Sequence, residues 1–442
     1  MLSSNIQQIA RVVKGKLNTT QNAEFIGICT DTRLEANGSL FIALEGSNFD
    51  GHSFVNKAKN LGASAVLAHK KIDTNLPVIQ VENTEKAYQE IASWYRQSFS
   101  PVVIAITGSN GKTSTKNMLN SILSLEAPTL STQGNLNNHL GVPQTLCHLE
   151  EQHKFCIIEM GANHINEISL LCDIAKPHIS IITNANNAHI GEFGSEENLV
   201  KAKGEILESL SKDGLALFNK SSPHKHIWEK MSGTKNHTLF GDDSNIYATE
   251  IKQFKSHINF NLNFSGGTKN IDLPMVGVHQ VDNALAATAC ALEIGINPDL
   301  IKKGLQNSPS EKGRLELIEL NNFKLLDDSY NANPHSMKAA IDTISRFSGE
   351  KILVLGSMAE LGENSKKLHQ EIGDYARQAN IDRLFTIGDD ATHYKGEHFE
   401  DINSVFDTLN KNHKGSTILI KGSRMMKLNE LVDIFLNTLN SP

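Results

Sequence analysis

The chain runs to 442 residues, a length for about two to four domains of roughly 100–200 residues each. With 39% hydrophobic residues, 21% charged residues and a formal charge of −7, it has an ordinary soluble composition that argues against a sequence-independent grip on nucleic acid. Five scattered cysteines with no C-x-x-C pair argue against a disulfide framework or a zinc site, and no stretch approaches the ~20 apolar residues of a membrane span.

The stretch from Met1 to Leu17 lacks an apolar core followed by a small-residue cleavage site, so a cytoplasmic protein is expected. The first block, residues 1–98, reads as small and mixed α/β. Its apolar run Ser39-Leu-Phe-Ile-Ala-Leu44 is followed by the turn Asp50-Gly51 and a helical stretch around Val55 to Leu61. Pro77-Val-Ile-Gln-Val81 then precedes a helical pattern through Tyr88 to Tyr95. The second block, residues 99–311, alternates apolar strands with amphipathic helices. Its strands are expected at Val102–Ile106, Phe155–Met160 and Ile179–Thr183, forming a parallel sheet wrapped by helices, and it closes with a helix over Gln280–Ile294. The third block, residues 312–442, has strands expected at Lys351–Leu355, Arg383–Ile387 and Thr417–Ile420, with a helix from about Ser365 to Ala379. It reads as a second, smaller, doubly wound unit.

Chemistry concentrates in the middle block. The strand over Val102–Ile106 leads into Thr107-Gly-Ser-Asn-Gly-Lys-Thr113, and a helix follows with Met118, Leu119, Ile122 and Leu123 on one face. Strand, glycine loop, Lys-Thr and helix together hold a nucleotide triphosphate: the glycines admit backbone N–H groups to the phosphates, and the helix N-terminus adds partial positive charge. Lys112 can reach the β- and γ-phosphates and Thr113 can bind Mg²⁺. The loop is shortened, since only two residues separate Gly108 from Gly111.

Glu159 ends an apolar run at a strand terminus, where α/β proteins bind ligands, and can hold Mg²⁺ directly or through water; the alternative is a strand-end residue capping a turn. His189 follows another strand end. Lys203 lies on a helix expected over Ser195 to Leu210, within roughly 60° of Leu199, Val200, Ile206, Leu207 and Leu210 at ~100° per residue. A lysine on an apolar stripe either snorkels to water or has a partner or a task.

These residues resemble the Mur ligases of peptidoglycan synthesis. The first block contributes Thr30-Asp-Thr-Arg33, Gly38-Ser-Leu-Phe-Ile-Ala-Leu44 and Asp50-Gly-His52. The middle block adds the phosphate loop, Gly134-Asn-Leu-Asn-Asn-His-Leu-Gly-Val-Pro143, Glu159-Met-Gly161, Ala188-His189, Ala202-Lys-Gly-Glu205 and Gly277-Val-His-Gln-Val-Asp-Asn-Ala-Leu-Ala-Ala287. The last contributes Gly313-Arg-Leu-Glu316, Asp327-Asp-Ser-Tyr-Asn-Ala-Asn-Pro334 and Lys421-Gly-Ser-Arg424. The Asn-Leu-Asn-Asn, Ser-Tyr-Asn-Ala-Asn-Pro and Lys-Gly-Ser-Arg stretches point to the branch that adds D-alanyl-D-alanine to UDP-N-acetylmuramoyl-tripeptide.

The resemblance implies three domains: one for the UDP-sugar, a central phosphate-loop ATPase domain, and a Rossmann-like domain that closes over the site. It implies ATP and two Mg²⁺ ions, with an acyl phosphate formed on the tripeptide carboxylate and then attacked by the dipeptide amine. Gly108, Ser109, Asn110, Gly111, Lys112, Thr113 and Ser114 would cradle the phosphates, with Thr113 and Glu159 on one ion. His189 and a carbamate on Lys203 would hold the other. Lys112, His189 and Lys203 thus form the implied catalytic set.

Asn283 would contact the adenine side, Arg314 the phosphates, and Asp328 (or its neighbour Asp327) the ribose. Asn137 and Asn138 would face the UDP-sugar, and Thr32 and Arg33 the uridine end, unless these last two form a structural turn. Ser329, Asn331 and Asn333 would help place substrate, and Lys421 and Arg424 would meet the incoming dipeptide. The chain is expected to act as a monomer, with neither nucleic acid nor membrane as partner. Against a folylpolyglutamate synthase stand the Asn-Leu-Asn-Asn stretch and the first-block signature. A switch or kinase would show a full-length phosphate loop, and a non-catalytic binder would not need the intact set at Lys112, Thr113, Glu159, His189 and Lys203.

Overall fold

A computed structural model describes residues 1–186, 190–320, 323–410 and 415–439. Each expected block contains its own sheet. The first has five strands, in the order Lys16–Leu17, Val78–Gln80, Ala65–Ala68, Leu40–Ile42, Ile28–Cys29, parallel except at the Lys16–Leu17 edge. The long helix Thr84–Gln97, capped by the Asn83 side chain on Lys86 N–H, packs its Tyr88, Ile91, Ala92 and Tyr95 face inward and leads to the second block.

The central sheet has six parallel strands, in the order Thr129–Ser131, Phe155–Glu159, Val102–Thr107, Ile179–Ile182, Leu215–Asn219, Asn236–Phe240. Helices cover both faces, so its central strands are buried along nearly their whole length and mostly apolar. Val102–Thr107 lies between Phe155–Glu159 and Ile179–Ile182, which sets Gly108, Glu159 and Thr183 at one sheet edge. The helix expected at its end spans Gln280–Ile294.

Before that helix stands a three-stranded antiparallel sheet, Tyr247–Gln253, Ile258–Phe264 and Gly267–Leu273, absent from the sequence reading. Ile258, Phe260, Leu262, Ile271 and Leu273 bury one face, and asparagines 259, 261, 263 and 270 hydrogen-bond along the other.

The last sheet has six strands, in the order Glu316–Glu319, Lys324–Asp328, Thr417–Lys421, Lys351–Gly356, Arg383–Ile387, Glu397–Phe399, all parallel except the first. The jump from Asp328 to Thr417 and back to Lys351 makes a switch in strand order, so the C-terminal ends of Lys324–Asp328 and Thr417–Lys421 sit side by side. Among the described residues, no helix is long and apolar enough to cross a membrane.

Candidate active site

The edges of the central and last sheets face each other across a cleft of about 950 Å³. On the central side, the loop after Val102–Thr107 turns through Gly108 at φ +149° and Gly111 at φ +80°. A Cβ on Gly108 would overlap the Thr183 hydroxyl, and one on Gly111 the Asn283 side-chain oxygen. Both positions therefore require glycine on two grounds, backbone conformation and space.

The neighbouring strand braces the loop. Ser109 N–H donates to the Asn184 carbonyl (3.0 Å), Asn110 N–H to Asn184 Oδ1 (3.0 Å), and the Thr183 hydroxyl to the Asn110 carbonyl (2.6 Å). Gly111 precedes the helix Lys112–Leu123 and supplies no side-chain cap, so the helix N-terminus presents its first N–H groups to the cleft. Lys112 folds back on the Gly108 carbonyl at 2.7 Å, and burial pulls its ammonium below the ordinary lysine range.

Asn283 lines the cleft with both ends of its amide engaged. Its Oδ1 lies against Gly111 and 3.5 Å from the Thr115 hydroxyl, and its Nδ2 donates to Gln280 Oε1 at 2.8 Å. It buttresses the loop as well as facing the ligand space. Gln280 and Asn184, which complete that support, were not singled out from sequence; the signals lay in the helix motif around Asn283 and the polar residues after Thr183.

Glu159 is 2% exposed at its strand end. Asn137 Nδ2 donates to its Oε1 at 2.7 Å, while Oε2 is buried with no hydrogen-bond partner among the described residues. A carboxylate oxygen without a donor, beside Thr113 and under the phosphate loop, fits a hard cation such as Mg²⁺. Asn138 also lines the cleft, with its Oδ1 accepting from Gly141 N–H at 2.9 Å in the turn that enters the following helix.

Lys203 is where periodicity puts it, 2% exposed on the helix Glu196–Glu208, whose N-cap is Ser195. Its ammonium has no carboxylate within ion-pair distance among the described residues. It donates weakly to the Ala162 carbonyl at 3.4 Å and lies 5.3 Å from the Phe193 ring centroid. Burial, with Lys112 nearby, brings its pKa down to about 7. Glu205, two residues on, instead receives Asn166 N–H (2.6 Å) and Ser169 N–H (3.0 Å), fixing the loop that carries Ala162. His189 lies outside the described residues.

Across the cleft, the two adjacent acids diverge. Asp327 is fully buried, accepts Ser329 N–H at 3.0 Å and does not line the cleft. Asp328 lines it, accepts Leu315 N–H at 3.2 Å and pairs with Lys421 at 2.6 Å. Lys421 is 2% exposed and also donates to the Asn331 carbonyl at 2.9 Å. Lys421 thus lines the cleft with its charge matched by a buried carboxylate.

Asn333 caps the helix Pro334–Ser345 and reaches over to Asn110 of the phosphate loop at 2.7 Å. Asn331, Arg314 and Tyr330 line the cleft and Arg424 packs on the Tyr330 ring from outside that lining, whereas Ser329 does not line it. Nor do Thr32 and Arg33. Arg33 N–H and guanidinium both bond Asp31, with the arginine side chain exposed. His279 and His335 line the cleft unforeseen, and burial beside His335 and Lys421 pushes His279 down to about 4.

Comparison with known proteins matches this architecture piece by piece. Residues 24–97 match the Mur ligase family catalytic domain, 106–291 the Mur ligase middle domain and 313–424 the Mur ligase glutamate ligase domain. The UDP-N-acetylmuramoyl-tripeptide–D-alanyl-D-alanine ligase of Escherichia coli (strain K12) is 38% identical over 98% of both chains. The enzyme of the same name from Bacillus subtilis (strain 168) is 35% identical over 98% of both. A crystal structure of MurF from Acinetobacter baumannii superimposes with a TM-score of 0.94 at 33% identity, covering 99% of this chain and 100% of that one. With whole-length relatives and three matching domain models, the chain belongs to the Mur ligase family.

Proposed function

We propose that this chain is an ATP-dependent amide ligase that adds D-alanyl-D-alanine to UDP-N-acetylmuramoyl-tripeptide in cytoplasmic peptidoglycan precursor synthesis, releasing ADP and phosphate. The observation that carries this reading is the convergence of the phosphate loop, Glu159, Lys203, Arg314 and Asp328 on one cleft, in a chain similar to ligases of that name along its whole length. Five buried free cysteines support a reducing compartment. The enzyme is read as a monomer, with residues 1–98, 99–311 and 312–442 as its UDP-sugar, ATP and closing domains.

The chemistry runs in two steps. An oxygen of the tripeptide carboxylate attacks the γ-phosphorus, the bond to the β–γ bridging oxygen breaks and ADP leaves. The dipeptide amine then attacks the acyl carbon, loses its proton, and phosphate departs. The first step drives anion toward anion, so positioned positive charge governs its barrier. Lys112, released from the Gly108 carbonyl, and Arg314 supply that charge from opposite walls. Asp328, held by Lys421, orients the ribose, and Asn137 steadies both Glu159 and the sugar-side loop.

Thr113 and Glu159 would hold one Mg²⁺, and His189 with a carbamylated Lys203 a second; bound there, the ions neutralise charge on the phosphoryl oxygens. The neutral amine that a pKa of about 7 provides is the form that reacts with CO₂, and the carbamate exchanges an uncompensated buried cation for an anion.

Phosphate release with ATP, Mg²⁺, the tripeptide nucleotide and D-alanyl-D-alanine, each omitted in turn, tests the reading. Release that needs all four, with the pentapeptide mass, is expected; release indifferent to the peptides contradicts it.

A further inference from the structure

Tyr330 stands in the stretch Ser329–Pro334 and lines the cleft. Two guanidinium groups rest on its ring: the Arg314 carbon lies 4.2 Å from the ring centroid and the Arg424 carbon 5.0 Å. The arginines come from opposite ends of the last domain, 110 positions apart in sequence (424 − 314). Arg314 stands at the crossing from the central domain and Arg424 in the turn after Thr417–Lys421. The ring is fixed locally, because Tyr330 N–H donates to the Gly313 carbonyl at 3.0 Å and Gly313, at φ +77°, brings the two segments together.

Neither guanidinium is saturated by acids. Arg314 has one loose contact, Nε to Glu311 at 3.6 Å, and that Nε is buried without a hydrogen-bond partner. Arg424 is exposed and makes no ion pair among the described residues. Two like charges on one ring, with most N–H donors unused, form a platform loaded for anions. The negative face of the ring offsets their repulsion without neutralising them, as a carboxylate would.

We propose that Tyr330 is a positioning residue that couples the two ends of the ligase site, holding Arg314 toward the nucleotide phosphates and Arg424 toward the carboxylate of the incoming dipeptide. This rests on the ligase reading above. Orientation of both guanidiniums depends on one aromatic ring, so losing that ring weakens the response to both substrates, and losing Arg424 weakens only one.

The experiment compares Tyr330→Phe, Tyr330→Leu, Arg424→Ala and the Tyr330→Leu/Arg424→Ala double variant of the full chain. KM is measured for ATP and for D-alanyl-D-alanine, and ADP binding by calorimetry. From the usual strength of a cation on an aromatic face, Tyr330→Leu raises both KM values and the ADP Kd by roughly five- to tenfold. Tyr330→Phe recovers to within about twofold of the parent, since the ring face and not the hydroxyl is the support. Arg424→Ala raises the dipeptide KM alone, and the double variant raises it by less than the product of the single effects.

Equal losses in the Phe and Leu variants would overturn the proposal, as would multiplicative single effects or a Leu variant with unchanged KM values. Calorimetry with ADP keeps the tests separable. A parent chain that fails to ligate this dipeptide sinks the substrate assignment, while ADP binding unchanged by Tyr330→Leu sinks the platform. A Tyr330→Leu chain that does not fold is replaced by Arg424→Lys, which keeps charge but loses the planar stack, and must reproduce the dipeptide KM defect.

Discussion

The two junctions between the three sheets are built differently. Where the first block meets the central one, a single apolar core is continuous across the boundary. Leu2, Ile6, Ile91 and Tyr95 share a cluster with Val103, Val142, Ile158 and Cys172. Polar bonds follow it: Arg96 Nε donates to the Ala175 carbonyl at 2.8 Å, and the Tyr95 hydroxyl to the Leu149 carbonyl at 2.9 Å.

Where the central block meets the last one, the cores stay separate, and Val276 is the central-block side chain that joins the last block's cluster. Across that seam run isolated hydrogen bonds, Asn333 to Asn110 at 2.7 Å and Gly191 N–H to the Glu360 carbonyl at 3.1 Å. Stabilisation by burial grows with area, whereas a few polar bonds exchange readily with water. The first junction is therefore built as one rigid body, and the second as a seam held by few contacts.

That contrast can be broken by unfolding one side alone. Lys421→Met leaves Asp328 buried without its cation and should destabilise the last domain by about 3–5 kcal/mol. Calorimetry should then show an early transition for that domain with the rest of the melt unmoved; a shift of the whole melt would mean the seam is a true core. Ile91→Ala, by contrast, should cost about 3 kcal/mol and lower the melting of the first and central blocks together. Two separate transitions from that variant would remove the rigid-body half of the comparison.

Acidity sharpens the same division. Lys203 titrates near 7 in the folded chain and near the ordinary lysine value when unfolded. Between those values the unfolded chain holds a proton that the folded one does not, so stability rises with pH. The cost of the buried ammonium is complete below 7 and fades as pH climbs toward 10.5. From pH 6 to pH 8 the gain is about 1.4 kcal/mol, confined to the rigid body and absent in Lys203→Met, when measured in CO₂-free buffer. Smallest is Asn333→Asp, which keeps the helix cap but loses the donor to Asn110. It should cost about 1 kcal/mol, seen as faster hydrogen exchange along the seam and not within either sheet.

Much of the site was legible because it is local. The phosphate loop is one turn between a strand and a helix, and the inward Lys203 follows from helical period alone. A strand end predicted the edge where Glu159 stands, and the resemblance supplied Asp328. What escaped depends on distant contacts. Whether Asp327 or Asp328 faces the cleft is decided by pairing with Thr417–Lys421, about 90 residues on, a separation at which spacing along the chain carries no signal. Nor does spacing show that Lys421 pairs with Asp328, which lies on that neighbouring strand. Arg33, expected at the uridine end or in a structural turn, pairs with Asp31 two residues earlier, a local contact. The antiparallel sheet was missed because its polar face reads as loop when half the alternation is asparagine.

The central claim is that the cleft at the seam activates a carboxylate as its acyl phosphate. Ligation with the tripeptide terminal carboxylate doubly labelled with ¹⁸O, followed by mass analysis of the released phosphate, tests it most directly. One ¹⁸O per phosphate, with the other retained in the new amide, is the predicted result. Phosphate free of ¹⁸O would contradict the account, since its fourth oxygen would then have come from water and not from the substrate.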